Sequence, residues 1–423
     1  MIQEFSLTNI LSIKKTQTLS FEVAIKDTEP SRHWVEMPDT TKILRLACVY
    51  GANASGKTNL LEAFDMFMHF ILDGFTTLKP NSSISVEPFH FDPNTPNEPS
   101  SFEIKFYVDG HRYVYSISMT KKQVTSESLH WYETTQKKLI FSRGSDGEVK
   151  WGTSIKGEKK QIAEMTKHNV ALLNVGAKLD HPLLSKVYRS LDRMTSSLIS
   201  PDSGSLMQRV LKLISENPEM KSEFLSLLSN ANFNNIQDIV VESSDVPQDF
   251  LSMLTQESIE SMQAEGMDFK RWTAQIVHGF NGNSYTLPIG RESAGTQRFM
   301  ELILPLYDSV HNQGMFLIDE IGCSHHEELL EYYIETFLEQ GHTSQLLFTT
   351  HVLDLMDSEL LRDDEVWFAI KDSQGSTEFN SITDYVGIRK DVSRKKLYEA
   401  NRFGAKPIFK RMVFKQKGSQ KRE

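Results

Sequence analysis

Residues 51–58 read GANASGKT, and this stretch decides how the rest of the chain is interpreted. It fits the pattern G-x-x-x-x-G-K-[ST] at every position. An apolar segment, 43–50, precedes it, and residues 59–71, NLLEAFDMFMHFI, follow it with helical periodicity. A glycine-containing turn can match the pattern by chance, but the strand–loop–helix setting argues against that alternative. The sequence therefore predicts a phosphate-binding loop within an α/β fold.

The composition of this loop fits the chemistry of phosphate binding. Glycines let the backbone curl so that successive N–H groups point at phosphate oxygens, and the following helix adds the positive end of its dipole. Lys57 is expected to reach the β- and γ-phosphates of ATP, and the Thr58 hydroxyl to ligate Mg²⁺. The candidates for nucleotide contact in this region are Gly51, Asn53, Ser55, Gly56, Lys57, Thr58 and Asn59.

A pair of acidic residues follows an apolar run much further along the chain. Residues 315–318, MFLI, have the composition of a fully buried parallel strand, and Asp319 and Glu320 come directly after it. Ligands bind at the carboxyl ends of strands in open α/β sheets. Asp319 is therefore expected to hold Mg²⁺, directly or through water, and Glu320 to act as general base on the attacking water. The alternative, a strand that merely ends in acids, is weakened by the upstream loop.

Two shorter stretches predict the remaining parts of the site. Residues 291–298, RESAGTQR, precede an amphipathic helix, and the Ser293-x-Gly295 turn would bind the γ-phosphate held by another subunit. An ordinary helix cap by Ser293 is the alternative. Strand 345–348 is followed by Thr-Thr and His351, which would sense or hydrogen-bond the γ-phosphate. A core histidine is the usual explanation of a lone histidine.

The rest of the sequence predicts that the chain is divided into four parts. Residues 1–150 would form the N-terminal half of a nucleotide-binding head and an antiparallel β subdomain, in which Asp109-Gly110 joins two alternating strands. Residues 151–278, helical in character from about Glu158 to Gln275, are interpreted as a compact helical insertion. Residues 279–388 would complete the head with strands at 315–318, 345–348 and 366–370, and residues 389–423 form a basic C-terminal segment.

The charge of the chain is unevenly distributed. The 423 residues carry a formal net charge of −10, so nucleic-acid binding over the whole surface is not expected. Residues 389–423 contain 13 Lys and Arg against 3 Asp and Glu, a net of +10, which leaves −20 for the rest. A basic end on an acidic body predicts a local contact with nucleic acid or an acidic partner surface. The alternative is a solvated tail.

Three further features bear on location. Cys48 and Cys323 are the two cysteines and cannot build a disulfide framework, so a reducing cytoplasm is expected. No run of about 18 apolar residues exists, so no membrane contact through a spanning helix is expected. The first residues, MIQEFSLTNILSI, lack the pattern of a secretory signal.

In chain order, five features resemble the ABC-type ATPase heads of the SMC and RecF group. They are an N-terminal strand with Asn9, the loop at 51–58, the Ser-x-Gly turn, the Asp319-Glu320 pair and His351. The resemblance implies an ABC-type P-loop head with a mixed sheet, in which two heads enclose two ATP molecules. The loop and the acid pair would act from one head, and the Ser-x-Gly signature from the other.

The chain is also similar to the bacterial ATPases of AAA family 15, relatives of the OLD-family proteins in phage-defence and abortive-infection systems. This resemblance rests on VEPFHF at 86–91, on Ser324 and His326 after the acid pair, and on YEANRFGAKP at 398–407. Two positions depart from the pattern. The loop after the acid pair reads GCSHHE instead of containing Leu-His-Pro, and Asn401 replaces the usual glycine.

Relatives with this C-terminal pattern are commonly encoded beside a small nuclease, as in the PARIS and RloB-type anti-phage systems. The resemblance implies a homo-oligomer, at least a head-to-head dimer, with a partner effector nuclease encoded nearby and a phage trigger protein as a further partner. The residues after strand 366–370 show no acidic cluster of a TOPRIM nuclease, so the chain itself is not expected to be the nuclease.

Three cellular functions are candidates for a protein with this ATP-binding chemistry. The first is a sensor ATPase of an anti-phage system that controls a partner effector. The second is a DNA-repair or replication ATPase similar to RecF, which acts directly on DNA. The third, a transport-associated ATPase, is disfavoured by the lack of a membrane segment and by the SMC-like insertion. The basic end fits the first two, because it would bind DNA phosphates or an acidic effector.

Overall fold

The structure, a computed structural model, describes most of the chain. The described ranges are 1–25, 32–79, 82–133, 136–153, 155–195, 198–201, 205–247, 269–323, 326–389 and 392–407. Ser324, which supports the resemblance, and residues 408–423 of the basic segment lie outside these ranges. Within them, no helix is both long and apolar enough to cross a membrane.

Runs of strands and runs of helices follow one another along the described chain. The strands are β1 (Ile2–Thr8), β2 (Gln17–Ser20), β3 (Trp34–Glu36), β4 (Lys42–Leu44), β5 (Leu46–Tyr50), β6 (Ser100–Val108), β7 (His111–Met119), β8 (Val124–Tyr132), β9 (Lys137–Arg143), β10 (Val149–Trp151), β11 (Ile236–Asp245), β12 (Lys270–Phe280), β13 (Asn283–Pro288), β14 (Met315–Ile318), β15 (Gln345–Thr349), β16 (Val366–Lys371) and β17 (Thr377–Ser381). The α-helices are α1 (Lys57–Thr77), α2 (Lys159–Met165), α3 (Leu172–Lys178), α4 (Pro182–Met194), α5 (Ser205–Glu216), α6 (Pro218–Asn230), α7 (Ala294–His311), α8 (Glu327–Gln340) and α9 (Arg394–Glu399).

A mixed five-stranded sheet carries the motif-bearing strands, in the order β14-β15-β5-β16-β17. The first four strands are parallel, and β17 is antiparallel to β16. The predicted strands at 315–318, 345–348 and 366–370 are confirmed, and they share one sheet with β5 from the first half of the chain. The carboxyl ends of β5, β14 and β15 therefore meet at one edge of this sheet.

A seven-stranded antiparallel sheet, ordered β10-β9-β8-β7-β6-β1-β2, forms the β subdomain. The predicted hairpin is confirmed as β6 and β7, and its turn places Asp109 at φ 47° and Gly110 at φ 79°. Two successive left-handed residues match the twist of a two-residue hairpin, which favours the Asp-Gly pair. The fold class is therefore α/β, with a mixed sheet and an antiparallel β subdomain.

Helix α1 is buried between the two sheets because apolar side chains surround most of it. Phe64 contacts Phe5 edge to face at 4.8 Å between ring centroids, and Phe67 stacks on Phe102 at 5.3 Å. The alternating side chains of β5 serve two cores: Ala47 and Val49 face α1, and the intervening residues face α7 and α8. Full burial of each large apolar side chain contributes about 1.5–3 kcal/mol, so this packing holds α1 between the two sheets.

The structure corrects the prediction that helices fill the insertion up to Gln275. Helices α2 to α6 are present, but β11 and β12 pair as antiparallel strands, and β13 adds to them. The β-branched residues Ile236, Ile239, Val240 and Val241 favour a strand because their χ1 angles are restricted in a helix. One face of this sheet packs on α5 and α6. The four-part division of the chain stays a prediction.

The expected strand at 43–50 is two strands. Strands β4 and β5 belong to different sheets, and the chain passes from one sheet to the other at Arg45. The Arg45 guanidinium is buried and donates to the backbone carbonyls of Phe337 (2.8 Å) and Leu338 (2.7 Å) at the end of α8. A buried arginine needs such acceptors. Its hydrogen bonds to the end of α8 interrupt the strand at this residue.

Candidate nucleotide-binding site

The loop at 51–58 joins β5 to α1, as predicted, and one of its glycines is required by packing. Gly56 has φ 104°, a conformation that residues with a side chain rarely adopt. A Cβ atom on Gly56 would lie 2.3 Å from Thr377 Oγ1 and 2.7 Å from Ser12 Oγ. The loop is therefore pressed against β17 and the turn after β1, with the first N–H groups of α1 at its end.

Two residues of the central sheet hold the loop from outside. The Thr377 hydroxyl donates to the carbonyl of Ser55 (2.7 Å), and the Lys371 ammonium donates to the carbonyl of Ala54 (3.0 Å). Ala54 has φ 61°, so the chain turns through a left-handed conformation there. Asn53 is exposed, and Asn59 lies in the first turn of α1. These contacts keep the backbone of the loop curled, which phosphate binding requires.

Lys57 lies across the loop that precedes it. Its buried ammonium donates to the carbonyls of Gly51 (3.0 Å) and Ala52 (3.2 Å). Burial lowers the pKa of Lys57, while the negative charges of Asp319 and Glu320 oppose this shift. The ammonium is therefore placed between the start of the loop and the acid pair.

Asp319 connects the two sequence halves of the site. Its carboxylate is buried and accepts hydrogen bonds from the hydroxyls of Thr58 (2.8 Å) and Thr349 (2.5 Å). Thr58 belongs to α1, Asp319 follows β14, and Thr349 ends β15. A carboxylate and a hydroxyl in direct contact are the oxygen ligands that Mg²⁺ takes from protein alongside phosphates.

Glu320 and His351 lie on the open side of this group. His351 Nε2 is 3.8 Å from Glu320 Oε1, and both side chains are 44% exposed. Glu320 has φ 48°, and its N–H donates to Thr349 Oγ1 (2.8 Å). Burial and the positive charge of Lys57 lower the pKa of His351, with Glu320 and Asp319 opposing. The structure therefore brings together the loop, the acid pair and the histidine.

The Ser-x-Gly turn is not joined to this group in the described residues. Ser293 caps α7, and its hydroxyl accepts from the Thr296 N–H (3.0 Å) and contacts the Thr296 hydroxyl (2.8 Å). Ser293 is exposed, and Gly295 is half-buried. The alternative of an ordinary helix cap is thus present in the structure, with the Ser293 side chain at the surface.

Sequence reasoning missed three residues that support the site. Thr349 accepts from Glu320 and donates to Asp319, Thr377 holds the loop, and the Arg298 guanidinium approaches the Asp319 carbonyl at 3.5 Å. The available signal for Thr349 was its position at the end of the strand that comes next in the chain after the strand with the acid pair. Thr377 and Arg298 become neighbours of the site only through pairing between distant segments.

Asn9, one of the features behind the resemblance, has a structural place in this fold. It follows β1 at φ 54° and is buried. Its side-chain amide donates to the carbonyls of Thr95 (2.8 Å) and Glu98 (3.0 Å), and its carbonyl oxygen accepts from the Phe89 N–H (3.1 Å). Asn9 therefore ties the loop between α1 and β6 to the end of β1.

The residues present fit a magnesium nucleotide. The buried Ser55 hydroxyl makes no hydrogen bond within the described ranges, and a Cβ on Gly51 would lie 2.6 Å from its oxygen. The curled loop leaves no room for a side chain at two glycines and presents backbone N–H groups at the start of α1. Lys57 supplies a cation, and Thr58 with Asp319 supplies oxygen ligands, so phosphates and Mg²⁺ both find suitable partners.

The chain is similar to a known protein family and to solved SMC head structures. A family model described as "AAA domain, putative AbiEii toxin, Type IV TA system" matches residues 46–357. The SMC head domain from Thermotoga maritima is 12% identical with a TM-score of 0.43, over 90% of this chain and 98% of that chain. The SmcHead bound to the C-winged helix domain of ScpA is 11% identical with a TM-score of 0.41, over 90% and 99%. No curated protein matches the sequence.

The matched family has a different description from AAA family 15. The match therefore shows an AAA domain, and the closer resemblance to AAA family 15 stays a prediction. The matched model begins within β5, includes the loop, α7 and the acid pair, and ends after His351. It therefore spans the P-loop, the Ser-x-Gly turn, the acid pair and His351, and more than half of the chain. The chain therefore belongs to this AAA_21 family of AAA-domain proteins.

Proposed function

We propose that the protein binds ATP with Mg²⁺ and hydrolyses it. One observation carries the proposal: the buried Asp319 carboxylate is hydrogen-bonded to Thr58 of the P-loop helix and to Thr349 of the neighbouring strand. This arrangement places an oxygen-rich group at the mouth of a phosphate-binding loop. Its simplest chemical use is to hold a metal ion against the phosphates of a nucleotide.

Each residue of the site has a role in this proposal. Residues 51–59 surround the phosphates, with Lys57 as the cation on the β- and γ-phosphates. Mg²⁺ bound by Thr58 and Asp319 would neutralise charge on the phosphate oxygens. Glu320 takes the proton of the attacking water as general base, and His351 hydrogen-bonds the γ-phosphate or the water. The reaction then relies on positioning and charge stabilisation.

We further propose that the site is completed by a second copy of the chain. Ser293 and Gly295 stand at the N-terminus of α7, where backbone N–H groups and the helix dipole favour an anion. Ser293 is exposed and bonded only within its own helix turn among the described residues. Facing a partner's P-loop, this turn would contact the γ-phosphate held there. The oligomer is then at least a head-to-head dimer.

In the cell, we propose a sensor or scaffold subunit of an anti-phage system of the abortive-infection type. The family description names a putative toxin of a toxin–antitoxin system, and such systems pair two gene products. Nucleotide-dependent closure of the heads would hold or release a partner effector nuclease encoded nearby, with a phage protein as trigger. Direct action on DNA, as in RecF-like repair, is the second candidate, supported by the net charge of +10 over residues 389–423.

Light scattering tests the two candidates in one series. The mass of the Glu320→Gln protein would be measured with and without ATP, alone, with the product of the adjacent gene, and with duplex DNA. A nucleotide-sensitive complex with the neighbouring protein supports the sensor function. An ATP-dependent dimer that binds DNA and ignores the neighbour supports the RecF-like function. A monomer under all conditions contradicts both.

A further inference from the structure

A cavity of about 650 Å³ lies between the P-loop and the C-terminal part of the described chain. One wall is formed by Ala52, Asn53 and His351. The opposite wall belongs to residues 398–407, which we name the C-terminal cap. Because His351 is 3.8 Å from Glu320, the cavity opens on the side of the P-loop where hydrolysis is proposed.

The C-terminal cap is fixed to the central sheet by aromatic packing. Phe403 stacks on Phe368 with 4.2 Å between ring centroids, and Tyr398 stacks on the same ring at 6.0 Å. Phe403 and Tyr398 are buried. Phe368 pairs in the sheet with Tyr50, the residue immediately before the P-loop. The cap is therefore packed on the strand that pairs with the P-loop strand.

A tight turn brings the end of the cap back to the cavity. Asn401 at φ 57° and Gly404 at φ 72° are both left-handed, and the Tyr398 hydroxyl donates to the Ala405 carbonyl (3.1 Å). Asn401 Oδ1 accepts from the Lys406 N–H (3.2 Å). The Lys406 ammonium donates to the Glu399 carbonyl, which uses one of its three donors. Lys406 is thus placed by the turn, although its side chain is exposed.

We propose that Lys406 binds the terminal phosphate of a nucleoside triphosphate held by the P-loop of the same chain. This inference rests on the proposed ATP site. The charged side chains that line the cavity are His351, Glu399 and Lys406. Among these, the flexible ammonium is the group that gains from a phosphate, because charge-assisted hydrogen bonds are about twice as strong as neutral ones. The C-terminal cap is then the wall of the site that distinguishes triphosphate from diphosphate.

The experiment compares the affinities for ATP and ADP, both with Mg²⁺, by equilibrium binding. Lys406→Ala should weaken ATP binding about tenfold, as expected for loss of one hydrogen bond to a charged group, and leave ADP binding unchanged. Lys406→Arg should restore most of the ATP affinity. Glu399→Gln should strengthen ATP binding a few-fold, because it removes a negative charge from the cavity wall.

Lys396→Ala is the matched control, because Lys396 is an exposed lysine of α9 that does not line the cavity. Equal losses for ATP and ADP, no loss in Lys406→Ala, or the same loss in Lys396→Ala would overturn the inference. Lys406→Gln, which keeps the length of the side chain, replaces Lys406→Ala if that variant unfolds. Wild-type protein that binds neither nucleotide would overturn the proposed ATP site itself, and with it this inference.

Discussion

Two regions of the molecule are built in opposite ways. Around Asp319, side chains from α1, β14 and β15 are connected by hydrogen bonds of 2.5–2.8 Å. The Ser293 hydroxyl bonds only to Thr296 in the first turn of α7 among the described residues, and Ser293 is exposed. The first region is held together by contacts between distant segments, whereas the second stands at the surface at the N-terminus of a helix.

This difference bears on the proposed second copy. Asp319 is already oriented by Thr58 and Thr349. The Ser293 hydroxyl makes no hydrogen bond to the P-loop in the described residues, so the proposed contact with a γ-phosphate would have to come from another molecule. Arg298, on α7, contacts the Asp319 carbonyl, so the two regions of one chain are still mechanically linked.

The strongest change within the region around Asp319 is Glu320→Gln. It removes the general base without changing the size of the side chain, so hydrolysis should fall about 10²–10⁴-fold. ATP binding should persist, because the loop and Asp319 are unchanged. Phosphate release and equilibrium ATP binding would be measured, with Glu328→Gln, an exposed residue of α8, as control. A wild-type rate of hydrolysis would remove Glu320 from this role.

Ser293→Asp separates the two uses of the exposed turn. Aspartate caps helices about as well as serine, so the melting temperature should hold, while its charge would face the partner's phosphate. Hydrolysis should fall about 10²–10³-fold, the usual cost of losing one oxyanion donor. The control is Asn217→Asp, which makes the same change of charge at the N-cap of α6. Unchanged hydrolysis in Ser293→Asp would reduce this turn to a helix cap.

Thr349→Val tests the hydrogen bonds that prepare Asp319. The change keeps the shape of the side chain and removes the hydroxyl between Asp319 and the Glu320 N–H. Loss of such supporting contacts commonly costs about 10–100-fold in metal affinity or activity. The Mg²⁺ concentration for half-maximal hydrolysis should rise accordingly. Thr336→Val removes a hydroxyl from α8 that bonds only to the Tyr332 carbonyl, and it should leave this concentration unchanged.

The smallest expected effect is a pH dependence of ATP binding through His351. Burial and the charge of Lys57 hold the pKa of His351 below its ordinary value of 6.5. A phosphate beside the imidazole raises that pKa, because it favours the charged form. Between the two pKa values binding takes up a proton, so ATP affinity should rise a few-fold as the pH falls from about 8 to about 6. His351→Gln should abolish this rise, and a rise that persists would exclude His351 as its source.

Local motifs of this protein could be predicted because short stretches determine their own geometry. GANASGKT turns sharply after a strand and begins a helix, and Asp109-Gly110 favours one hairpin turn whatever surrounds it. The apolar run before Asp319 likewise determines a buried strand. In each case the conformation depends on neighbours in the sequence, so the pattern is sufficient.

The parts that escaped prediction depend on distant contacts. Thr377 and Ser12 support Gly56 from opposite ends of the chain, and only the assembled sheet brings them together. Arg45 divides an apolar run because its guanidinium finds carbonyls at the end of α8. The antiparallel strands β11 and β12 lie where the sequence predicts a helical insertion, because amphipathic helices precede them. Pairing across the intervening residues, and packing on α5, decide their structure.

In the proposed head-to-head dimer, one chain supplies the P-loop of each site and the other chain supplies the Ser293 turn. The direct test mixes Lys57→Ala, which lacks the phosphate-binding cation, with Ser293→Asp, and measures phosphate release from the mixture. Each variant alone should be nearly inactive. Mixed dimers contain one intact composite site, so the mixture should recover about a quarter of the wild-type rate. A mixture no more active than its components would contradict a shared site.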